Sequence, residues 1–236
     1  MGAYRYVKRL VRGITFFMKS YLVEKPKGLD FSLRQKSRNI ITEGNHGYAL
    51  TQRKAFDTIM EKIGVDKDDC FIDIGCGKGA TLYYATNYDF RRIAGIEVEP
   101  ALYGIARRNF KQLGIPNVEL FFENAVNFDK YDQFNIFFLF NPFDDDIYIK
   151  VLERIVDSQH QNSCSKKVYL ICYGASPVEY IRQSGNWELT DEFLDYVRVT
   201  DVHIWKLIRA GRQANLSRGS WGQAPDSVET IVDCSS

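Results

Sequence analysis

Between Cys70 and Ile208 the chain alternates short, almost wholly apolar runs with longer stretches whose apolar residues recur every third or fourth position. The short runs read as strands and the longer stretches as amphipathic helices. In order, the pattern predicts strand Cys70–Ile74, helix Ala80–Ala85, strand Ile93–Glu97, and a helix opened by Pro100 and closed near Gly114. Strands Val118–Phe122 and Phe134–Phe140 follow, then a helix from about Asp145 to Asp157, strand Lys167–Tyr173 and a short helix Pro177–Gln183. Two late strands, Leu189–Val199 and Val202–Ile208, are separated only by a short turn. Strands alternating with helices require right-handed crossovers and make a mostly parallel sheet. The last two strands are too close for a crossover and pair antiparallel. The predicted class is α/β, doubly wound.

Upstream, Thr51 reads as the N-cap of a helix that runs to about Lys62 and stops at Gly64. Further back, apolar residues from Tyr4 to Tyr21 recur at helical spacing with Arg5, Lys8, Arg9, Arg12 and Lys19 between them, the pattern of a basic amphipathic helix over 4–22. A polar stretch with Pro26 and Gly28 connects the two. Beyond Arg209 the chain is polar, rich in Gly and Ser, and without a steady period. The expected organisation is an arm over 1–47, one domain over 48–209, and a disordered tail over 210–236.

The 236 residues suit one α/β domain, and 45% hydrophobic content excludes global disorder. Net charge is +1, but it is unevenly spread: residues 1–40 hold ten Lys/Arg against two Asp/Glu, and the remainder is net acidic. Five scattered cysteines without a CxxC pair, two of them in strand-like runs, fit a reducing compartment. With three separated histidines they make no zinc pattern, so no metal is expected. No run approaches the roughly 20 apolar residues of a membrane span. The first residues show neither a secretory nor a myristoylation pattern, so a cytoplasmic location is expected, with membrane association through residues 4–22 as the variant.

Strand Cys70–Ile74 runs straight into Gly75, Gly77 and Gly79, and a helical pattern follows. Glycines allow a sharp turn and close approach of a ligand, and the helix start offers free N–H groups. Such turns also occur without a ligand, but three alternate glycines between strand and helix favour a nucleotide-type cofactor. The glycines alone leave its identity open, because Gly75-x-Gly77-x-x-Ala80 also satisfies the dinucleotide fingerprint. Asp73 separates the readings: a carboxylate there repels a pyrophosphate and attracts an amino group.

Asp73-Ile74-Gly75-Cys76-Gly77-Lys78-Gly79 resembles the first motif of class I methyltransferases that use S-adenosylmethionine (SAM). The resemblance extends in element order from about Tyr48 to Ile208. It implies a seven-stranded sheet with an antiparallel last strand, SAM as cofactor, and a site at Asp73, Gly75, Cys76, Gly77 and Gly79. It also implies Glu97 and Val98 at the end of the second strand, with the Glu97 carboxylate on the ribose hydroxyls. Asn124 and Ala125 would lie near the adenine, where the family often has Asp, and Tyr48 near the methionine end. Glu99 reads instead as a cap before Pro100, and Thr51 has its own explanation as a cap.

The fourth strand ends in Asn141-Pro142-Phe143, which resembles a shortened form of the Asn/Asp-Pro-Pro-aromatic motif of methyltransferases acting on nitrogen. That resemblance implies that the Asn141 side-chain oxygen and the following carbonyl accept the two hydrogens of an amine, while Phe143 stacks on the acceptor. The missing second proline departs from the motif. Asn-Pro is also a common turn opener, and Asp144, Asp145 and Asp146 suit the start of the next helix. No His, Lys or Tyr stands out as a base, which methyl transfer from a sulfonium tolerates, because alignment matters more than proton removal.

The leading expectation is therefore N-methylation of an amine on a small molecule or a protein side chain. An NAD(P)-dependent oxidoreductase and a non-catalytic SAM-binding domain are the alternatives. The basic helix over 4–22 is expected to cover or pack against the domain, with peripheral membrane contact ranked second and nucleic acid third.

Overall fold

The structure, a computed structural model, describes residues 18, 20–32, 44, 46–161 and 166–208. Most of the basic helix expected over 4–22 and the whole expected tail over 210–236 lie outside them. Seven strands form one sheet: β1 Cys70–Ile74, β2 Arg92–Glu97, β3 Val118–Phe122, β4 Ile136–Leu139, β5 Tyr169–Tyr173, β6 Trp187–Asp195 and β7 Thr200–Leu207. Their order is β3-β2-β1-β4-β5-β7-β6. Neighbours from β3 to β5 pair parallel, whereas β7 runs antiparallel to both β5 and β6. The doubly wound, seven-stranded class implied by the sequence is the one observed.

Among the described residues, five helices flank the sheet: α1 Arg53–Ile63, α2 Ala80–Ala85, α3 Pro100–Leu113, α4 Asp145–Gln161 and α5 Val178–Gln183. Alternate strand residues serve opposite faces. Phe71, Ile93, Ile136, Phe138 and Ile204 pack with Phe56 and Ile59 of α1, Leu82 of α2 and Phe110 of α3. Ile72, Ala94, Phe137, Leu139 and Leu170 pack on the other side with Tyr148, Val151 and Ile155 of α4 and Ile181 of α5. Strands buried on both faces read as continuous apolar runs, which is why β1 and β4 stood out in the sequence.

Several expectations need correction: β5 starts at Tyr169 and not Lys167, and β6 and β7 each begin and end earlier than Leu189–Val199 and Val202–Ile208. Thr51 does not cap α1; Gln52 stands at that position without a side-chain bond, and Thr51 is buried instead. Glu99 does stand at the N-cap of α3, but its side chain makes no capping bond. β4 begins at Ile136, because a short 3-10 turn over Tyr131–Gln133 precedes it and the Asn135 side chain is drawn to the Cys70 N–H and the Lys167 carbonyl. α4 runs a turn beyond Asp157, because Gln159 is buried and its amide donates to the carbonyls of Tyr131 and Phe134.

Part of the arm joins the same core. After a π-helical turn at Ser20–Glu24 and a 3-10 turn at Lys25–Lys27, Leu29 and Phe31 are buried with α1 and α2, and the Phe31 ring stacks on Tyr83 with centroids 5.4 Å apart. The Glu24 carboxylate accepts the N–H groups of Phe31 and Ser32, which folds the segment back on itself.

Candidate active site

The sheet reverses its winding direction between β1 and β4, and a crevice opens at the carboxyl ends of strands at such a switch point. The loop after β1 and the loop after β4 meet there: a Cβ placed on Gly75 would lie 2.8 Å from the Pro142 Cβ. Gly75 has φ 81° and donates its N–H to the Ile96 carbonyl, so the chain turns sharply at the strand end. At Gly77 the reason for glycine is the Tyr48 ring, which would stand 2.4 Å from an added Cβ. The resulting cleft holds about 830 Å³ of empty space, part of it open solvent at its mouth.

Of the residues expected at the site, Tyr48, Asp73, Gly75, Cys76, Gly77 and Glu97 line this cleft. So do Val98, Asn124, Ala125, Asn141, Pro142 and Phe143. Gly79 is not among them. It caps α2 at φ 82°, and an added Cβ would sit 2.7 Å from the Phe110 ring, so its small size serves packing against α3. His46, Thr51, Thr81, Glu99, Leu102, Glu123 and Phe140 also line the cleft and were not expected there.

Two buried carboxylates dominate the floor. Asp73 is 3% exposed, and burial, then the nearby Glu97 charge, pushes its carboxyl up to about 8 against a hydrogen bond from Thr81 that favours the charged form. Thr81 also bonds the Thr51 hydroxyl at 3.1 Å, which gives Thr51 its role in place of capping. Glu97 is 6% exposed and is likewise raised by burial, opposed by backbone N–H donors. Gly77 N–H reaches its Oε2 at 2.8 Å and Glu99 N–H its Oε1 at 2.7 Å. The bond to Gly77 ties the glycine loop to the end of β2. Cys76 lies between the two acids, its thiol pushed well up by burial, so it is a packed thiol and not a thiolate.

Lys78 belongs to the same loop yet points away from these acids. Its ammonium, 1% exposed, pairs with Asp30 of the arm at 2.7 Å and stands 5.4 Å from the centre of the Tyr48 ring. Tyr48 donates its hydroxyl to the Phe31 carbonyl at 2.6 Å, so only its ring is offered to the cleft. Asn109 of α3 completes this contact: its Oδ1 accepts the Asp30 N–H and its amide nitrogen donates to the carbonyls of Asp30 and Lys78.

On the opposite wall, Asn124 uses its amide oxygen for the Val126 N–H, which holds the loop after β3. Asn141 adopts a left-handed backbone at φ 41°, a conformation Asn tolerates better than most residues. His46 reaches across to it, with Nδ1 3.0 Å from the Asn141 carbonyl oxygen and 3.1 Å from its Oδ1. Its Nε2 lies 2.8 Å from Asp144. Phe143 shows little of its ring to the cleft, since it packs edge-on against Tyr148 within the core.

The fold is shared with solved methyltransferases. Residues 71–159 match the family model described as a methyltransferase domain. An RNA methyltransferase from Salinibacter ruber, solved with S-adenosyl-L-homocysteine (SAH), has 20% identity and a TM-score of 0.53 over 67% of this chain and 94% of its own. A SAM-dependent methyltransferase from Aquifex aeolicus has 14% identity and a TM-score of 0.50 over 65% of this chain and 89% of its own. At such identities these neighbours speak for the fold alone. No curated protein matches the chain in sequence. The match is thus to a methyltransferase domain over residues 71–159, and the fold shared with these neighbours is the seven-stranded, Rossmann-like one.

Proposed function

We propose that the domain transfers the SAM methyl group to an amino nitrogen held by Asn141 and Pro142. The observation that carries this reading is the juxtaposition of Pro142 with Gly75, which sets two fixed acceptors, Asn141 Oδ1 and the Pro142 carbonyl, beside the glycine loop. An amine donating to both turns its lone pair in a fixed direction, and orientation of that kind supplies much of the rate of a displacement. SAM supplies an activated methyl; the N–C bond forms as the S–C bond breaks, leaving SAH and an ammonium that loses its proton to solvent. Asp73 and Glu97 are the residues we assign to the cofactor: Asp73 attracts its amino group, and Glu97 accepts from its ribose diol. Tyr48, Val98, Asn124 and Ala125 form the remaining walls.

The acceptor class we favour is a small amine or a protein amine. Glu99 and Glu123 line the cleft and Asp144 stands behind His46, and acids there draw a cation and repel a phosphate backbone. The Salinibacter protein is described as acting on RNA, so RNA belongs among the acceptors to be tried. A second reading comes from His46 with Asp144 behind it, the arrangement of a general base and its orienting carboxylate, which suits a hydroxyl acceptor.

The test is transfer of a labelled methyl group from SAM to panels of small amines, lysine peptides, RNA and hydroxyl compounds. Asn141→Ala is expected to lower transfer to the amine found by about 100-fold or more, with SAM affinity unchanged. Transfer to oxygen, or an undiminished rate in that variant, overturns the amine reading.

A further inference from the structure

The acceptors that an amine would need are already engaged. The His46 backbone N–H donates to the Pro142 carbonyl at 2.9 Å, and its ring Nδ1 lies 3.1 Å from Asn141 Oδ1. One residue thus makes, from one side, the two contacts that define the amine seat. Its outer nitrogen is held by Asp144 at 2.8 Å, and one step further along the chain the Asp144 N–H donates to the Gly44 carbonyl at 2.8 Å. Gly44 and His46 are therefore tied through their backbones to Asp144 and Pro142.

Among the described residues, the polar partners of the imidazole are the Asn141 carbonyl, Asn141 Oδ1 and the Asp144 carboxylate. The ring is thus held on both sides, Nδ1 against Asn141 and Nε2 against Asp144. A residue whose backbone N–H and ring nitrogen meet the two acceptors of an amine occupies the place that the amine would take. Its side chain is also 36% exposed, so the cleft does not enclose it and its withdrawal needs no opening of the core.

We propose that His46 is a specificity-determining residue of the acceptor site: it fills the amine seat between Asn141 Oδ1 and the Pro142 carbonyl, and an acceptor is methylated only if it displaces it. Selection then follows from hydrogen-bond exchange. An acceptor with two N–H donors replaces both contacts, whereas a hydroxyl replaces one and leaves a carbonyl unpartnered. This inference rests on the amine reading given above.

The probes are SAH and the SAM analogue in which an amine-bearing carbon replaces the methylated sulfur, so that its amino group projects where the methyl would lie. Both are titrated calorimetrically against the full chain. His46→Ala removes the ring contact, and His46→Pro removes the backbone N–H as well. Both are expected to tighten the amine analogue by about tenfold, the size of one recovered hydrogen bond, with SAH changed less than about twofold. Adding Asn141→Ala to His46→Ala should cancel the gain. An unchanged or weakened ratio of analogue to SAH affinity in both His46 variants overturns the proposal. Failure of SAH to bind the wild-type chain overturns the cofactor assignment beneath it, which is a different result. In methyl-transfer assays the His46→Ala variant should broaden acceptor use, and abolished transfer would identify His46 as the base of the second reading.

Discussion

Asp73 carries an energetic cost that a cation relieves. Its folded value near 8 lies far above the 3.8 of an unperturbed aspartate, so the folded chain holds a proton that the unfolded chain has lost between those values. By linkage its contribution to stability is greatest below pH 3.8 and is lost as pH rises through about 8. The amino group of SAM stays protonated over most of that window and favours the carboxylate form. SAM binding should thus release a proton and tighten as pH rises from 6 to 7, read by calorimetry in buffers of different ionisation enthalpy. Asp73→Asn should flatten the pH dependence, weaken SAM by tenfold or more, and leave the unliganded chain at pH 8 no less stable than wild type. A parallel pH dependence in that variant would assign the titration elsewhere.

The contact between arm, glycine loop and α3 depends on one buried polar residue. Asn109 is fully buried and satisfies three backbone groups, on Asp30 and Lys78, that would otherwise be orphaned. Asn109→Ala should cost about 2–4 kcal/mol in urea unfolding and raise hydrogen exchange over residues 29–32. Because Lys78 sits in the loop that shapes the cleft, SAM should also bind more weakly. Little of this was legible in advance. The position was visible as a polar residue in phase with Leu102 and Ala106 on the buried face of α3, but its partners lie 31 and 79 residues away. Elements with a strong period were read to within a few residues: β1, α2 and β3 stand as predicted, and Gly64 and Gly114 end α1 and α3 in the left-handed conformation. Elements set by tertiary polar contacts were misjudged, as at β4 through Asn135 and α4 through Gln159. The same division holds for the site. Asp73, Glu97 and Asn141 follow strand ends and announce themselves, whereas His46 lies in a polar stretch without period, 95 residues from the Asn141 it meets.

At the scale of the whole molecule, the cleft joins the two halves of a doubly wound sheet and draws on loops from β1 through β4 and on the arm. A ligand filling it should couple to global stability. SAH at about 100 times its Kd adds ~2.7 kcal/mol and should raise Tm by roughly 5–10 °C, whereas NADH should leave Tm unmoved. The adjacent acids Asp73 and Glu97 argue for that difference, since they oppose a pyrophosphate and accept from an ammonium and a diol. Among the described residues no helix is long and apolar enough to cross a membrane. The most direct measurement is calorimetric titration of SAH into the wild-type chain and into Glu97→Gln. Saturable one-to-one binding to the wild type, weakened at least tenfold by Glu97→Gln, is the result predicted. Equal affinity in the two proteins would contradict the placement of the cofactor in this cleft.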